Sequence, residues 1–127
     1  MSIPRLPDAE LFIMKIIWQA GGEVTSAQLM SELNGKQKWV LPTVLNFLSR
    51  LVERGFLSVR KNGKINVYIP IIAEQDYLEC ESKSFLERLH GNSFTSLVTS
   101  LYDGKTISQD DLAELQAFII QKAGETP

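Results

Sequence analysis

Cysteine and histidine are nearly missing from this 127-residue chain, with Cys80 and His90 the single residues of their kinds. One thiol forms no internal disulfide, and one thiol with one imidazole is too little for a cysteine- or histidine-based metal site. Carboxylates at metal-binding spacing and a base in pattern with a nucleophile are lacking too, so the sequence points away from catalysis, metals and cofactors. No apolar run approaches the roughly 18 residues of a membrane span, and "MSIPRLPDAE" has no signal-peptide pattern. A cytoplasmic protein with no membrane partner is expected. There is no repeat and no linker rich in Gly, Pro or Ser. A chain of this size with 44% hydrophobic residues therefore reads as one domain plus an appendage.

Net charge is also small, at −2, but it is unevenly spread. Residues 1–72 carry +4 and residues 73–127 carry −6. Between 34 and 64 seven basic residues face Glu53 alone, a local +6 able to attract a polyanion in an acidic chain.

The most informative stretch lies in that segment: "KWVLPTVLNFLSRLVERGFL", residues 38–57. On a wheel of about 100° per residue, Val44, Leu45, Phe47, Leu48, Leu51 and Val52 fill one arc. Thr43, Asn46, Ser49, Arg50, Glu53 and Arg54 fill the other, with Thr43, Asn46 and Arg50 in one row at i, i+3, i+7. Pro42 suits a first helical turn and Gly55 a stop. One face is core; the other is either a solvated surface or a row that reads a ligand.

Upstream, Asp8 reads as an N-cap before Leu11, Ile13, Met14, Ile17 and Trp18, a stripe that ends at Gly21-Gly22. "TSAQ" at 25–28 has the form of a capping box and opens a short helix through Leu29, Met30 and Leu33 to Asn34-Gly35. A short helix, a tight connection and a helix with a polar row match the helix-turn-helix order, whose last helix faces the major groove. Trp39 reads as a shield over the core where that last helix begins.

After Gly55 the period becomes two, through Leu57, Val59, Ile65, Val67 and Ile69, with Asn62-Gly63 between: a hairpin wing. A two-residue Asn-Gly loop would set Leu57 and Val59 across from Tyr68 and Asn66. A three-residue loop with left-handed Gly63 instead puts Leu57, Val59, Ile65 and Val67 on one face, and is the expected register. It sets Arg60 against Lys64, a like-charge pair that a visiting phosphate would relieve.

Beyond Pro70 three helical stripes follow over 74–90, 93–102 and 108–122. They carry Leu78, Phe85, Leu86 and Leu89; Phe94, Leu97, Val98 and Leu101; and Leu112, Leu115, Phe118 and Ile119. Helices with so little core of their own either pack back on the first domain or meet a second copy, and the expectation is a homodimer. Cys80 reads as a small side chain on a dimer helix, and His90 as a helix-terminal residue before Gly91.

In order and spacing, "LPDAELFIMKIIW", "KWVLPTVLNFLSRLVERGFL", "NVYIPIIAEQDYL" and "KSFLERLHGNSFTSLVTSLYDGKTIS" resemble the BlaI/MecI/CopY penicillinase-repressor family over nearly the whole chain. Asp8-Ala9-Glu10, Trp39, Thr43-Val44, Arg50-Leu51 and Tyr68 to Pro70 carry the resemblance. It implies a mostly α fold with a small β-hairpin wing: a winged helix-turn-helix DNA-binding domain at 1–72 and a helical dimerisation domain at 73–127. It also implies a dimer that represses by binding a palindromic double-stranded operator.

Carried onto this sequence, the family's pattern puts a reading threonine at Thr43, Asn46 where a second threonine is common, and a phosphate-contacting arginine at Arg50. Asn46 suits adenine. Basic residues that some members have nearby are replaced by Val40, Leu41 and Leu45, for which Lys36, Lys38, Arg60, Lys61 and Lys64 compensate. Where beta-lactam-responsive members are cleaved at Asn-Phe, this chain reads Ser100-Leu101. A regulatory protease of other preference stays open as a partner. The cysteine cluster of copper-responsive members is absent from the tail "QKAGETP". The inducing signal is therefore not named by the resemblance. The competing reading is a winged-helix protein-interaction module that does not bind DNA, which the apolar entry to the third helix and the acidic balance favour.

Overall fold

The structure, a computed structural model, describes residues 2–125; Met1, Thr126 and Pro127, and with them the ends of both expected domains and of the tail, lie outside the described residues. The chain divides into two compact units, Met1–Ser82 and Lys83–Pro127, and the division falls within one helix.

In the first unit, α1 (Asp8–Ala20) buries Ile13, Met14, Ile16 and Ile17 together with one charged residue, Glu10. Asp8 is not the N-cap that the sequence suggested. Pro7 holds that position without a side-chain cap, and its carbonyl accepts from Leu11 N at 2.9 Å, so the helix begins one residue earlier. Asp8 instead joins Glu10 as a first-turn acid, where the helix dipole favours negative charge. Gly21, at φ +77°, ends the helix in the left-handed region that glycine tolerates.

β1 (Val24–Thr25) leads into α2 (Ser26–Leu33). The capping box is formed as its residues dictate: Gln28 N donates to Thr25 Oγ1 at 3.1 Å, and Thr25 N donates to Gln28 Oε1 at 2.8 Å. The link to α3 (Leu41–Glu53) occupies residues 34–40, longer than the tight turn expected. Lys36 N and Gln37 N both donate to the Leu33 carbonyl, at 2.9 and 3.1 Å, and the chain must then run extended through Val40 so that Pro42 enters the first turn of α3.

The apolar arc of α3 is the core seam: Val44, Leu48 and Leu51 are fully buried, and Leu45, Phe47 and Val52 pack on their edge. Trp39 roofs it, with ring centroids 5.1 Å from Phe47 and 5.9 Å from Phe12. Past Gly55, Phe56 N donates back to the Leu51 carbonyl at 2.9 Å and the chain turns into the wing.

β2 (Leu57–Asn62) and β3 (Ile65–Pro70) form the wing, and β1 adds to the far side of β3 in the antiparallel order β1-β3-β2. The hairpin register differs from the expected one. Asn62 pairs with Ile65, Lys61 with Asn66, Arg60 with Val67, Val59 with Tyr68 and Leu57 with Pro70. The loop is thus Gly63-Lys64, with Gly63 at φ +68° in the first central position, where a type II′ turn requires glycine. One positive φ suffices there, whereas a type I′ turn on Asn62-Gly63 needs two. Leu57, Val59 and Tyr68 accordingly share a face, and Ile65 and Val67 lie on the other. Arg60 does not oppose Lys64, so the like-charge pair expected at the tip does not exist.

α4 (Glu74–His90) begins in the first unit. Tyr77 explains why that unit runs past residue 72: it is 3% exposed, stacks near Trp18 and Phe56, and its hydroxyl accepts from Leu6 N at 3.1 Å. Trp18 Nε1 also donates to the Ile72 carbonyl at 2.9 Å.

The second unit holds the remainder of α4, α5 (Phe94–Asp103) and α6 (Gln109–Glu125). Ser93 caps α5 by accepting from Ser96 N at 3.1 Å. Ser108 and Asp111 cap α6 reciprocally, at 3.1 and 2.8 Å. The local signals for these helices are strong; their packing is not. Among the described residues, neither α5 nor α6 buries a single side chain.

Candidate nucleic-acid interface

The polar row of α3 is formed. Thr43 is half-buried, Asn46 and Arg50 are exposed, and the helix rise separates the first from the last by about 10 Å. That span is comparable to three base-pair steps at 3.4 Å each. A hydroxyl, an amide and a guanidinium therefore stand in line on a helix whose opposite face is locked into the core, so the row is rigidly presented.

Two cations of the basic segment are taken within the fold. Arg54 forms a salt bridge to Glu10, whose side chain is 1% exposed, and so ties the end of α3 to the first turn of α1. Arg60 Nη2 lies 2.6 Å from Glu23 Oε2, joining the wing to the residue before β1. Sequence reasoning missed both pairs, since their members stand 44 and 37 residues apart. The other five, Lys36, Lys38, Arg50, Lys61 and Lys64, are exposed and make no salt bridge among the described residues. They lie on three elements of one unit: the link before α3, α3 itself, and the wing tip. Exposed cations without an internal counter-charge are the groups that neutralising phosphates requires.

The entry to α3 has the opposite character. Val40 and Leu41 are 61% and 45% exposed, and Pro42 is exposed beside them. On the wing, Val59 and Ile65 are also exposed, on opposite faces of the hairpin.

The apolar residues expected at an interface are placed on the later helices without an intramolecular core around them. Leu78, Phe85, Leu89, Phe94, Phe118 and Ile119 are exposed, while Leu97, Val98, Leu101, Leu112 and Leu115 are half-buried. Ile71, Tyr102 and Ile120, which the sequence stripes did not single out, are exposed as well. Cys80 is half-buried on α4, and His90 closes α4 with its Nδ1 2.9 Å from Ser96 Oγ.

Comparison with known proteins agrees with this geometry. The family model described as Penicillinase repressor matches residues 6–121. The penicillinase repressor of Bacillus licheniformis is 34% identical over 114 residues, covering 90% of this chain and 88% of that protein. The methicillin resistance regulatory protein MecI of Staphylococcus aureus is 27% identical over 118 residues, covering 93% and 95%. Among solved structures, the DNA-binding domain of the repressor BlaI is 37% identical with a TM-score of 0.53, covering 61% of this chain and 94% of that one. The monomeric form of Bacillus licheniformis BlaI in complex with the blaP half-operator is likewise 37% identical, with a TM-score of 0.51, and covers 60% and 92%.

Proposed function

The chain belongs to the penicillinase repressor family, whose members are transcriptional repressors rather than enzymes, and from that premise we propose that it is a homodimeric repressor that binds a palindromic operator through α3 and the wing. The observation that carries the reading is the joint placement of the Thr43, Asn46, Arg50 row and four further exposed cations, Lys36, Lys38, Lys61 and Lys64, on the unit that matches a relative solved on a half-operator.

In this reading Asn46 and Thr43 meet base edges, Arg50 meets a phosphate, and Lys36, Lys38, Lys61 and Lys64 fix the register on the backbone. Arg60 contributes only after releasing Glu23. Each N-terminal unit reads one half-site, and a second copy supplies the other through Phe94, Leu97, Leu101, Phe118 and their neighbours. The bare apolar surface of α5 and α6 supports that role, because two such surfaces bury each other in a symmetric pair. A regulatory protease acting at Ser100-Leu101 would first have to open the end of α5, where Gly104 N donates to the Ser100 carbonyl at 3.0 Å and Thr106 N to the Leu101 carbonyl at 2.9 Å.

Footprinting of the full chain on DNA upstream of its own gene tests the proposal. Protection of two half-sites related by a two-fold axis is expected. Absence of protection together with a monomeric, folded protein would favour the interaction-module reading instead.

A further inference from the structure

A recognition helix normally begins with polar or charged residues, because its first turn meets base edges and phosphates. Here the first turn of α3 presents Val40, Leu41 and Pro42 to solvent, with Val40 61% and Leu41 45% exposed. These side chains contribute nothing to the core seam, which starts at Val44. They sit directly ahead of Thr43 and Asn46 in a segment that is otherwise strongly basic, so a polyanion attracted to that segment meets an apolar tip.

We propose that Val40 and Leu41 are specificity-determining residues that read the C5-methyl groups of thymine in the major groove of each half-site. The inference rests on the operator-binding reading above. Of the groups that base pairs display in the major groove, the thymine methyl is the apolar one; the rest are hydrogen-bond donors and acceptors. Seated against a G·C edge, the tip would cover those groups without satisfying them, which disfavours such sites. Over thymine it buries apolar surface on both sides. The tip therefore selects by attraction and by exclusion, and it adds thymine to whatever base Asn46 reads.

The test uses the full chain. Duplexes bound by wild type are selected from a random pool, and the winning duplex is synthesised with thymine replaced by uracil one position at a time, which removes only the methyl group. The same duplexes are titrated with the double variant Val40→Ser/Leu41→Ser, in which serine at the N-cap position supplies the capping hydroxyl that valine lacks and circular dichroism checks the fold. The expected result is a roughly fourfold loss of wild-type affinity for uracil at one or two positions per half-site, the worth of one buried methyl-sized group. The double variant should bind thymine and uracil duplexes alike. Selective binding by wild type with no uracil effect at any position would overturn the inference and leave the repressor reading intact. A double variant that still discriminates uracil would overturn it as well, by assigning the methyl contact to other residues. Failure of wild type to enrich any duplex would overturn the operator-binding reading and this inference with it.

Discussion

Arg54→Ala probes the connection between α3 and the body of the domain. Glu10 is held 1% exposed at the first turn of α1, and its partner Arg54, at the end of α3, is 37% exposed. Removing the guanidinium leaves a buried carboxylate without its counter-charge, a change that typically costs about 3–5 kcal/mol. Water already reaches the pair through the exposed side of Arg54, and the α1 dipole retains some stabilisation of the charge, about 0.3–1 kcal/mol. The expected loss is therefore at the low end, about 2–3 kcal/mol. For a domain of some 80 residues that lowers Tm by roughly 10–20 °C. Both tryptophans, Trp18 and Trp39, lie in the first unit, so urea unfolding followed by tryptophan fluorescence reports on that unit selectively. Glu10→Gln in the Arg54→Ala background should recover most of the loss, because no charge is then buried. A stability for Arg54→Ala within about 0.5 kcal/mol of wild type would refute the reasoning and mean that the pair is a surface contact of little worth.

Asn46→Ala should weaken binding to the selected duplex by about 1–3 kcal/mol and relax preference at one base position, whereas Arg50→Ala should weaken selected and scrambled duplexes nearly equally and reduce the salt slope by about one unit per half-site. Titrations at several salt concentrations separate them, and a sequence-dependent loss at Arg50 would exchange their roles. Tyr77→Phe should cost about 1–3 kcal/mol by stranding the buried Leu6 N–H, seen as a shift in the urea midpoint; an unchanged midpoint would mean the bond adds nothing. Leu97→Asp with Leu101→Asp should give a monomer with a folded first unit in sedimentation and fluorescence, and an unchanged dimer would put the interface elsewhere.

Much of the reading domain was legible because its signals are local and binary. The wheel of residues 44–52 separated core from surface correctly, and the Thr25/Gln28 box and Gly55 stop were each specified within a few residues. The hairpin failed at its register, since Asn62-Gly63-Lys64 supports several loops and only the long-range pairing of β3 with both β2 and β1 decides among them. β1 itself spans two residues, too short for any period to show. Glu10 and Tyr77 were missed for a related reason. A buried carboxylate is recognisable only once Arg54 lies beside it, and a tyrosine becomes a core residue only once Leu6 offers its N–H. In the second unit the stripes of Leu and Phe were visible, and their exposure in the single chain is the part that only the structure supplies.

The central claim is sequence-specific binding by a pair of chains, and a stoichiometric titration measures it most directly. The full chain is added to a fluorescent duplex carrying both footprinted half-sites, to one carrying a single half-site, and to a scrambled control, at fixed salt. Saturation is expected at two chains per two-site duplex, with weaker binding to the single half-site and a gap of at least about 4 kcal/mol between the two-site duplex and the scrambled one. Equal affinity for all three duplexes would contradict sequence-specific binding by a pair of chains.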